Sequence, residues 1–295
     1  MISVQDAFLK FKSRLELTTS EQEDASRRQN RIRDLLCQEF DVQRDILTGS
    51  YSRHTKTKPL KDVDIFCILG DSESSRHEDQ PSRLLSAFQG VLRKEYGDSM
   101  VCLQRRSVQI DFGTAAVEDD ANGKIMSFDV VPAFSVGSHY EIPDTRAGKW
   151  VKTDPEIHKE LSTKANKEFS GQWVPMVKMI KKWNEAHNKP VNPSFLLEVM
   201  ALRIWAPPFS GGYPYELKSY FATAAARIAE EWADPAGLGP PVSDQMDAAK
   251  IASAQREFSR AEEQLSRAMR FEREGRNGEA LREWRGLFGP LFPLS

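Results

Sequence analysis

The stretch Gly49 to Leu69, GSYSRHTKTKPLKDVDIFCIL, constrains this chain more than any other. Its second half, Val63 to Leu69, is a run of apolar, β-branched and aromatic residues closed by Gly70, the pattern of a buried strand. Asp62 and Asp64 stand at the head of that run. Side chains alternate across a strand, so the two carboxylates share one face, about 6.5 Å apart along the backbone. Carboxylates that close repel unless something positive sits between them, and a pair of divalent ions ~3.5–4 Å apart fits the gap. A solvated strand end is the plainer alternative and the usual fate of an Asp-x-Asp taken alone.

Context changes that balance. Gly49-Ser50 follows a strand-like segment, Val42 to Leu47. Glycine lets backbone N–H groups come close to a phosphate, and a helix starting at Ser50 would aim its N-terminus and hydroxyl at that phosphate. An ordinary turn is the alternative for the Gly-Ser pair by itself. The combination of Gly-Ser, Thr55 and an Asp-x-Asp strand is far rarer than its parts. It resembles the signature of the polymerase-β-like nucleotidyltransferases.

The 295 residues suffice for one large domain or two lobes with sizeable cores. No apolar run approaches the ~20 residues of a membrane span, so no membrane association is expected. The N-terminal MISVQDAFLKFKSRLELTT lacks the long apolar segment of a secretory signal. Cys37, Cys67 and Cys102 are scattered, which suits a reducing cytoplasm and argues against a disulfide framework or zinc site. With 41 basic and 43 acidic residues and a net charge of −2, a long nucleic acid is not expected as the main partner.

Residues 3 to 40 read as helix, with Thr19 and Ser20 as candidate N-caps opposite Gln22 and Glu23. Arg27, Arg28, Arg31 and Arg33 read as a solvated face. Leu84, Leu85, Phe88, Val91, Leu92 and Tyr96 are spaced as an amphipathic helix able to cover a sheet. Met100 to Phe112 and Lys124 to Val131 read as strands, with the hairpin signal Asn122-Gly123 between them and Glu118, Asp119 and Asp120 in a solvated turn. Asp129 falls in the apolar centre of the second strand, where an acid is costly unless paired or bound to a cation. It is the preferred third metal carboxylate, with Asp111 in VQIDFG competing.

From about residue 155 the pattern is helical. Trp173, Val177, Ile180 and Trp183 at helical spacing read as core. Lys178, Lys181 and Lys182 in the same helix read equally as a solvated basic face or as a phosphate-binding one. Asn192-Pro193-Ser194 opens the next helix, Phe195 to Trp205, with Ser194 as N-cap, a start that suits triphosphate oxygens beside lysines. Helices over 217 to 233, 243 to 273 and Asn277 to Phe288 complete the expectation.

Together these segments resemble the bacterial cGAS/DncV-like nucleotidyltransferases (CD-NTases). Gly49-Ser50, Thr55 and Asp62-Val63-Asp64 match the family's nucleotide loop and first two metal ligands, and Phe128-Asp129-Val130-Val131-Pro132 matches its third-carboxylate strand. Val177-Lys178-Met-Ile-Lys181-Lys-Trp183 is similar to its lysine helix. Ser194-Phe-Leu-Leu-Glu198 resembles the next helix start, and Trp284 to Phe288 with Phe292-Pro293 the family's ending. The resemblance implies an α+β fold: N-terminal helices over 1–40 packing across the lobes, a polymerase-β-like core over 41–165 and a helical lobe over 166–295, with the active site in the cleft between the lobes. It further implies two Mg²⁺ ions, replaceable by Mn²⁺, on Asp62, Asp64 and Asp129. ATP and/or GTP would be held by Gly49, Ser50, Thr55, Lys178, Lys181 and Ser194. The expected product is a cyclic oligonucleotide, with a purine-containing cyclic dinucleotide favoured. In an anti-phage (CBASS) setting that product would reach a separate effector protein, and the resemblance leaves room for a regulatory protein partner. Two alternatives stay open: transfer to an RNA, protein or small-molecule acceptor, and a non-catalytic nucleotide-binding protein on the same fold.

Overall fold

The computed structural model describes residues 2–113 and 127–295. In chain order the elements are α1 Val4–Arg14, α2 Thr19–Leu36, β1 Val42–Thr48, the single turn α3 Gly49–Ser52, β2 Asp62–Leu69, the single turn α4 Ser74–His77 and α5 Pro81–Tyr96. Then come β3 Val101–Leu103, β4 Val108–Asp111, β5 Ser127–Val136, β6 His139–Asp144, β7 Lys149–Thr153 and α6 Pro155–Glu168. The chain finishes with α7 Trp173–Ala186, α8 Phe195–Ile204, α9 Tyr213–Arg227, α10 Ala248–Arg273 and α11 Asn277–Phe288. Two compact units form, one from residues 17–159 and one from 1–16 with 160–295. The segment 1–40 is therefore divided, with α1 counted in the second unit and α2 in the first.

The 17–159 unit is built on a mixed sheet in the order β1-β2-β5-β4-β3, extended by β6 on β5 and β7 on β6. β2 and β5 run parallel, and the other pairs are antiparallel. Alternation sorts the residues of β2 by face. Val63, Ile65, Cys67 and Leu69 join Phe128 and Val130 of β5 in a core with Ala25, Ile32 and Leu36 of α2 and Leu84, Leu85, Phe88 and Leu92 of α5. The opposite face carries Asp62 and Asp64 at one end and a small apolar cluster of Phe66, Ile68, Val131, Ala133 and Ile142 at the other.

Helix α2 starts later than its spacing suggests. The residue-3-to-40 helix is broken over residues 15–18, and the cap is Thr18 rather than Thr19 or Ser20. Thr18 and Glu21 form the reciprocal capping box, and the second Glu21 oxygen accepts the Leu60 N–H at 2.8 Å. Met100 to Phe112 is two short strands, not one, and the hairpin β6–β7 was not expected. Its strands are mostly half-buried and lack clean alternation, so their sequence signal is weak. The Asn122-Gly123 turn and the acidic residues before it lie outside the described residues. Helix α9 runs earlier than 217–233, and α10 begins at Ala248, where Asp247 accepts the Lys250 N–H.

The second unit is helical. Helix α7 is buried from Trp173 to Asn184 apart from Val174, as befits a helix surrounded by others. Trp183 stacks on Phe258 at 5.0 Å and meets Phe221 edge-on at 4.8 Å. Phe8 of α1 packs edge-on against Trp284 of α11 at 4.8 Å and Phe292 at 5.3 Å. The tryptophans are core, as their spacing indicates.

Candidate active site

The sheet brings the acidic residues together by register. Thr48 pairs with Asp64 across β1 and β2, Asp64 with Asp129 across β2 and β5, and Asp129 with Gln109 across β5 and β4. Adjacent strands lie about 4.8 Å apart, so Asp64 and Asp129 are neighbours on one face, with Asp62 two residues along. Asp111 pairs with Ser127, so β5 separates it from β2. Asp111 is exposed and its carboxylate accepts the Gly113 N–H at 2.9 Å.

The turn after β1 explains its glycine. Gly49 has φ +61°, and a Cβ built there would stand 1.8 Å from Asp64 Oδ2 and 2.8 Å from its Cγ. The space a side chain would need is the space the Asp64 carboxylate fills. Ser50 is half-buried, and its carbonyl accepts the N–H groups of Thr55 and Lys56, both at 3.0 Å. Thr55 is fully buried with its hydroxyl 3.4 Å from the same carbonyl, so as it stands it braces the turn.

Residues that sequence reasoning missed complete the site. Lys56 Nζ makes an ion pair with Asp62 Oδ1. Ser107 donates to Asp129 Oδ1 at 3.2 Å. Ser107 is in turn held by the loop before β4, where Arg105 and Arg106 both engage the fully buried Asp144, at 2.7 and 2.8 Å. Burial pushes Asp144 up, but hydrogen bonds from Arg105, the Ala147 N–H and Arg106 outweigh it and hold the group well below the usual carboxylate range. The sequence signal for that clamp is an Arg-Arg-Ser run, which has no spacing that ties it to Asp144.

Asp129 behaves oppositely. Burial first, then the charge of Asp64, raise its pKa from 3.8 to about 6, with Ser107 opposing and Asp62 adding to the rise. Among the described residues no three His, Cys, Asp or Glu side chains are gathered into a closed metal-holding set. The donor set nonetheless fits a hard divalent cation such as Mg²⁺. Its ligands are carboxylate oxygens, and Asp129 is ionised against its surroundings at neutral pH.

Lys178, Lys181 and Ser194 belong to the helical unit. The lysines are not a solvated face: Lys178, Lys181 and Lys182 are all buried. Lys178 pairs with Glu16 at 2.6 Å, Lys181 with Glu198 at 3.0 Å and Lys182 with Glu185 at 3.1 Å. Ser194 is half-buried at the start of α8, but its side chain makes no capping bond, contrary to expectation. That helix start is positioned instead by Asn184, whose amide exchanges two hydrogen bonds with Val191, at 2.9 and 3.0 Å. Removing one partner from a buried pair leaves the other charge uncompensated. Lys181→Ala is accordingly expected to lower unfolding stability by about 3–5 kcal/mol in urea titrations, and Lys181→Met with Glu198→Leu to recover most of that loss.

The chain is similar to known proteins of one family. The profile of the Second Messenger Oligonucleotide or Dinucleotide Synthetase domain (SMODS) matches residues 2–166. A probable cyclic nucleotide synthase of Bacillus cereus (strain VD146) is 27% identical over 271 residues, covering 83% of this chain and 81% of that protein. The cyclic AMP-AMP-AMP synthase of Acinetobacter sp. (strain ATCC 27244 / 9458) is 27% identical over 317 residues, covering 100% and 87%. Among solved structures, E. coli MS115-1 CdnC with ATP superimposes with a TM-score of 0.73 at 17% identity, over 99% of each chain. That likeness carries the fold, a polymerase-β-like core with a helical lobe. With the domain profile spanning more than half its length, the chain belongs to the SMODS family of CD-NTases, nucleotidyltransferases that synthesise cyclic oligonucleotides.

Proposed function

We propose that this protein joins ATP and/or GTP into a purine-containing cyclic dinucleotide, with release of pyrophosphate, as a second messenger of anti-phage defence. The observation that carries the reading is the register of Asp64 beside Asp129 on paired parallel strands, with Asp62 on the same face and the Gly49 turn against Asp64. Gly49 and Ser50 hold the donor β- and γ-phosphates. Asp62, Asp64 and Asp129 would hold divalent cations, which when bound neutralise charge on the attacking and leaving oxygens. Asp129 stands on the acceptor side and helps activate the attacking ribose hydroxyl by taking its proton. The hydroxyl oxygen bonds to the α-phosphorus as the bond to pyrophosphate breaks, and a second transfer closes the ring. Ser107 keeps the Asp129 carboxylate oriented throughout. Lys181 takes part on the phosphate side by exchanging Glu198 for a phosphate oxygen. A separate effector protein then binds the diffusible product.

A cyclic triadenylate is the second reading, favoured by the relative that matches the whole chain and is named a cyclic AMP-AMP-AMP synthase. One experiment separates the two. The protein is incubated with all four NTPs and Mg²⁺, then Mn²⁺, treated with phosphatase, and the surviving species are identified by mass. A resistant cyclic dinucleotide containing A or G supports the first reading, and a cyclic triadenylate supports the second. Label transferred from ATP to a macromolecule of cell extract, with no cyclic species, would overturn both.

A further inference from the structure

The unit of residues 1–16 and 160–295 contains a cavity of about 620 Å³ that takes no part in the nucleotide site described above. That volume is in the range of small-molecule pockets. Phe8, Phe169, Phe209, Tyr213 and Tyr215 contribute aromatic rings to its walls. The rings of Phe8 and Tyr213 lie 5.6 Å apart and near parallel, those of Phe169 and Phe209 4.4 Å apart. Tyr215 is 62% exposed at the cavity.

Three polar side chains of the lining are already engaged. The Tyr213 hydroxyl donates to the Gln172 amide oxygen at 2.6 Å, and Glu216 Oε1 accepts the N–H groups of Ser210 and Gly211 at 2.9 and 2.8 Å. Glu272 differs from these three. It is half-buried in the wall, and among the described residues no hydrogen bond or ion pair reaches its carboxylate. Nearby acids are served differently. Glu274 pairs with Arg276 at 3.1 Å and Glu279 with Arg276 at 3.0 Å. Glu272 also sits in the last turn of α10, where the helix dipole disfavours a negative charge. Burial raises its pKa, and no neighbouring cation opposes the rise.

We propose that this cavity binds a small organic cation, an amine carried on an aromatic or branched aliphatic body, with Glu272 accepting the ammonium and the rings enclosing the rest. Each alternative class meets a stated obstacle. A bare metal ion would find one carboxylate and apolar walls, too few oxygens for its shell. A neutral apolar ligand would strip water from Glu272 and return nothing to it. An anion would be repelled. A cation gains a charge-assisted hydrogen bond from the carboxylate and attraction to the faces of the rings.

The test is calorimetric titration of the full chain, without nucleotide, using 2-phenylethylamine and its neutral counterpart 2-phenylethanol. The amine is expected to bind saturably with a Kd of about 1 mM or tighter, and the alcohol at least about tenfold more weakly. Glu272→Gln should weaken the amine by about 10–100-fold and leave the alcohol unchanged. Tyr215→Ala, at an exposed position that does not endanger the fold, should weaken the amine severalfold while keeping its preference over the alcohol. Equal binding of amine and alcohol, undiminished amine binding by Glu272→Gln, or no saturable binding of the amine would each overturn the proposal. The readout contains no nucleotide turnover, so it stands or falls apart from the reaction proposed above.

Discussion

Asp129→Asn is expected to remove nucleotide turnover, to below about one thousandth of the parent rate, while making the metal-free protein more stable at neutral pH. The second half follows from the carboxylate's surroundings. Burial and Asp64 raise the Asp129 pKa to about 6, whereas the unfolded chain titrates near the ordinary 3.8. Between those values the folded state holds the extra proton, so this group's contribution to stability falls as pH rises from about 4 through about 6. At pH 7 the cost of keeping Asp129 ionised is fully present, on the order of 1–3 kcal/mol. Asparagine keeps the shape and removes that cost. Urea titrations in chelator should therefore favour the variant at pH 7, with the advantage vanishing below pH ~4. Added Mg²⁺ should narrow the gap by stabilising the parent alone. A variant that is less stable than the parent at pH 7 in chelator would mean that Asp129 is not held against its surroundings.

Gly49→Ala is expected to have the largest effect of any single methyl group added to the chain. Two penalties combine. The backbone sits at φ +61°, where a side chain is strained by roughly 1–2 kcal/mol, and the new Cβ would fall 1.8 Å from Asp64 Oδ2. The clash takes in the carboxyl carbon as well as its oxygen, since the Cγ is 2.8 Å away, and the Asp64 Cβ is close at 3.3 Å. Either the Asp64 carboxylate swings off its face or β1 and β2 separate locally. Activity should fall by at least about 100-fold, with a stability loss of about 2–4 kcal/mol in urea. Ser50→Ala, one residue on, should change stability by much less. Activity of Gly49→Ala within tenfold of the parent would remove Asp64 from the reacting centre.

What the sequence made legible were features whose cause is local. The alternation of Val63 to Leu69 put Asp62 and Asp64 on one face before any coordinates, and an acid amid Phe128, Val130 and Val131 drew attention to Asp129. The tryptophan spacing of α7 identified the helical core. What stayed hidden depends on distant partners. The lysines of α7 read equally as a solvated or a phosphate-binding face because Glu16, which pairs with Lys178, lies 162 residues away in sequence. The Arg105–Arg106–Asp144 clamp joins residues 38 and 39 positions apart through a hairpin with little periodic signal of its own. Lys56 shows the same limit at shorter range. Nothing in the five residues between it and Asp62 announces that the chain folds back on itself there. Thr18 was missed for a different reason: three consecutive hydroxyl residues, Thr18, Thr19 and Ser20, all offer a cap, and the contact of Glu21 with Leu60 selects among them.

The split composition of the helical unit sets the order in which a ribosome can make this protein whole. Helix α1 is synthesised before the rest of its unit, yet Phe8 and Phe11 find their ring partners in Trp284, Phe288 and Phe292. Arg14 likewise donates to the carbonyl of Leu291, 277 residues downstream. The continuous 17–159 unit has its own sheet and core and is free to fold while translation continues. The α1 aromatics must wait, exposed or sheltered by other proteins, until the tail emerges. At 5–20 residues per second that delay is roughly 15–60 seconds. A nascent chain stalled before Trp284 would then carry a finished carboxylate sheet beside a helical unit that cannot close. Closure of the helical unit is thereby coupled to translation through Phe292.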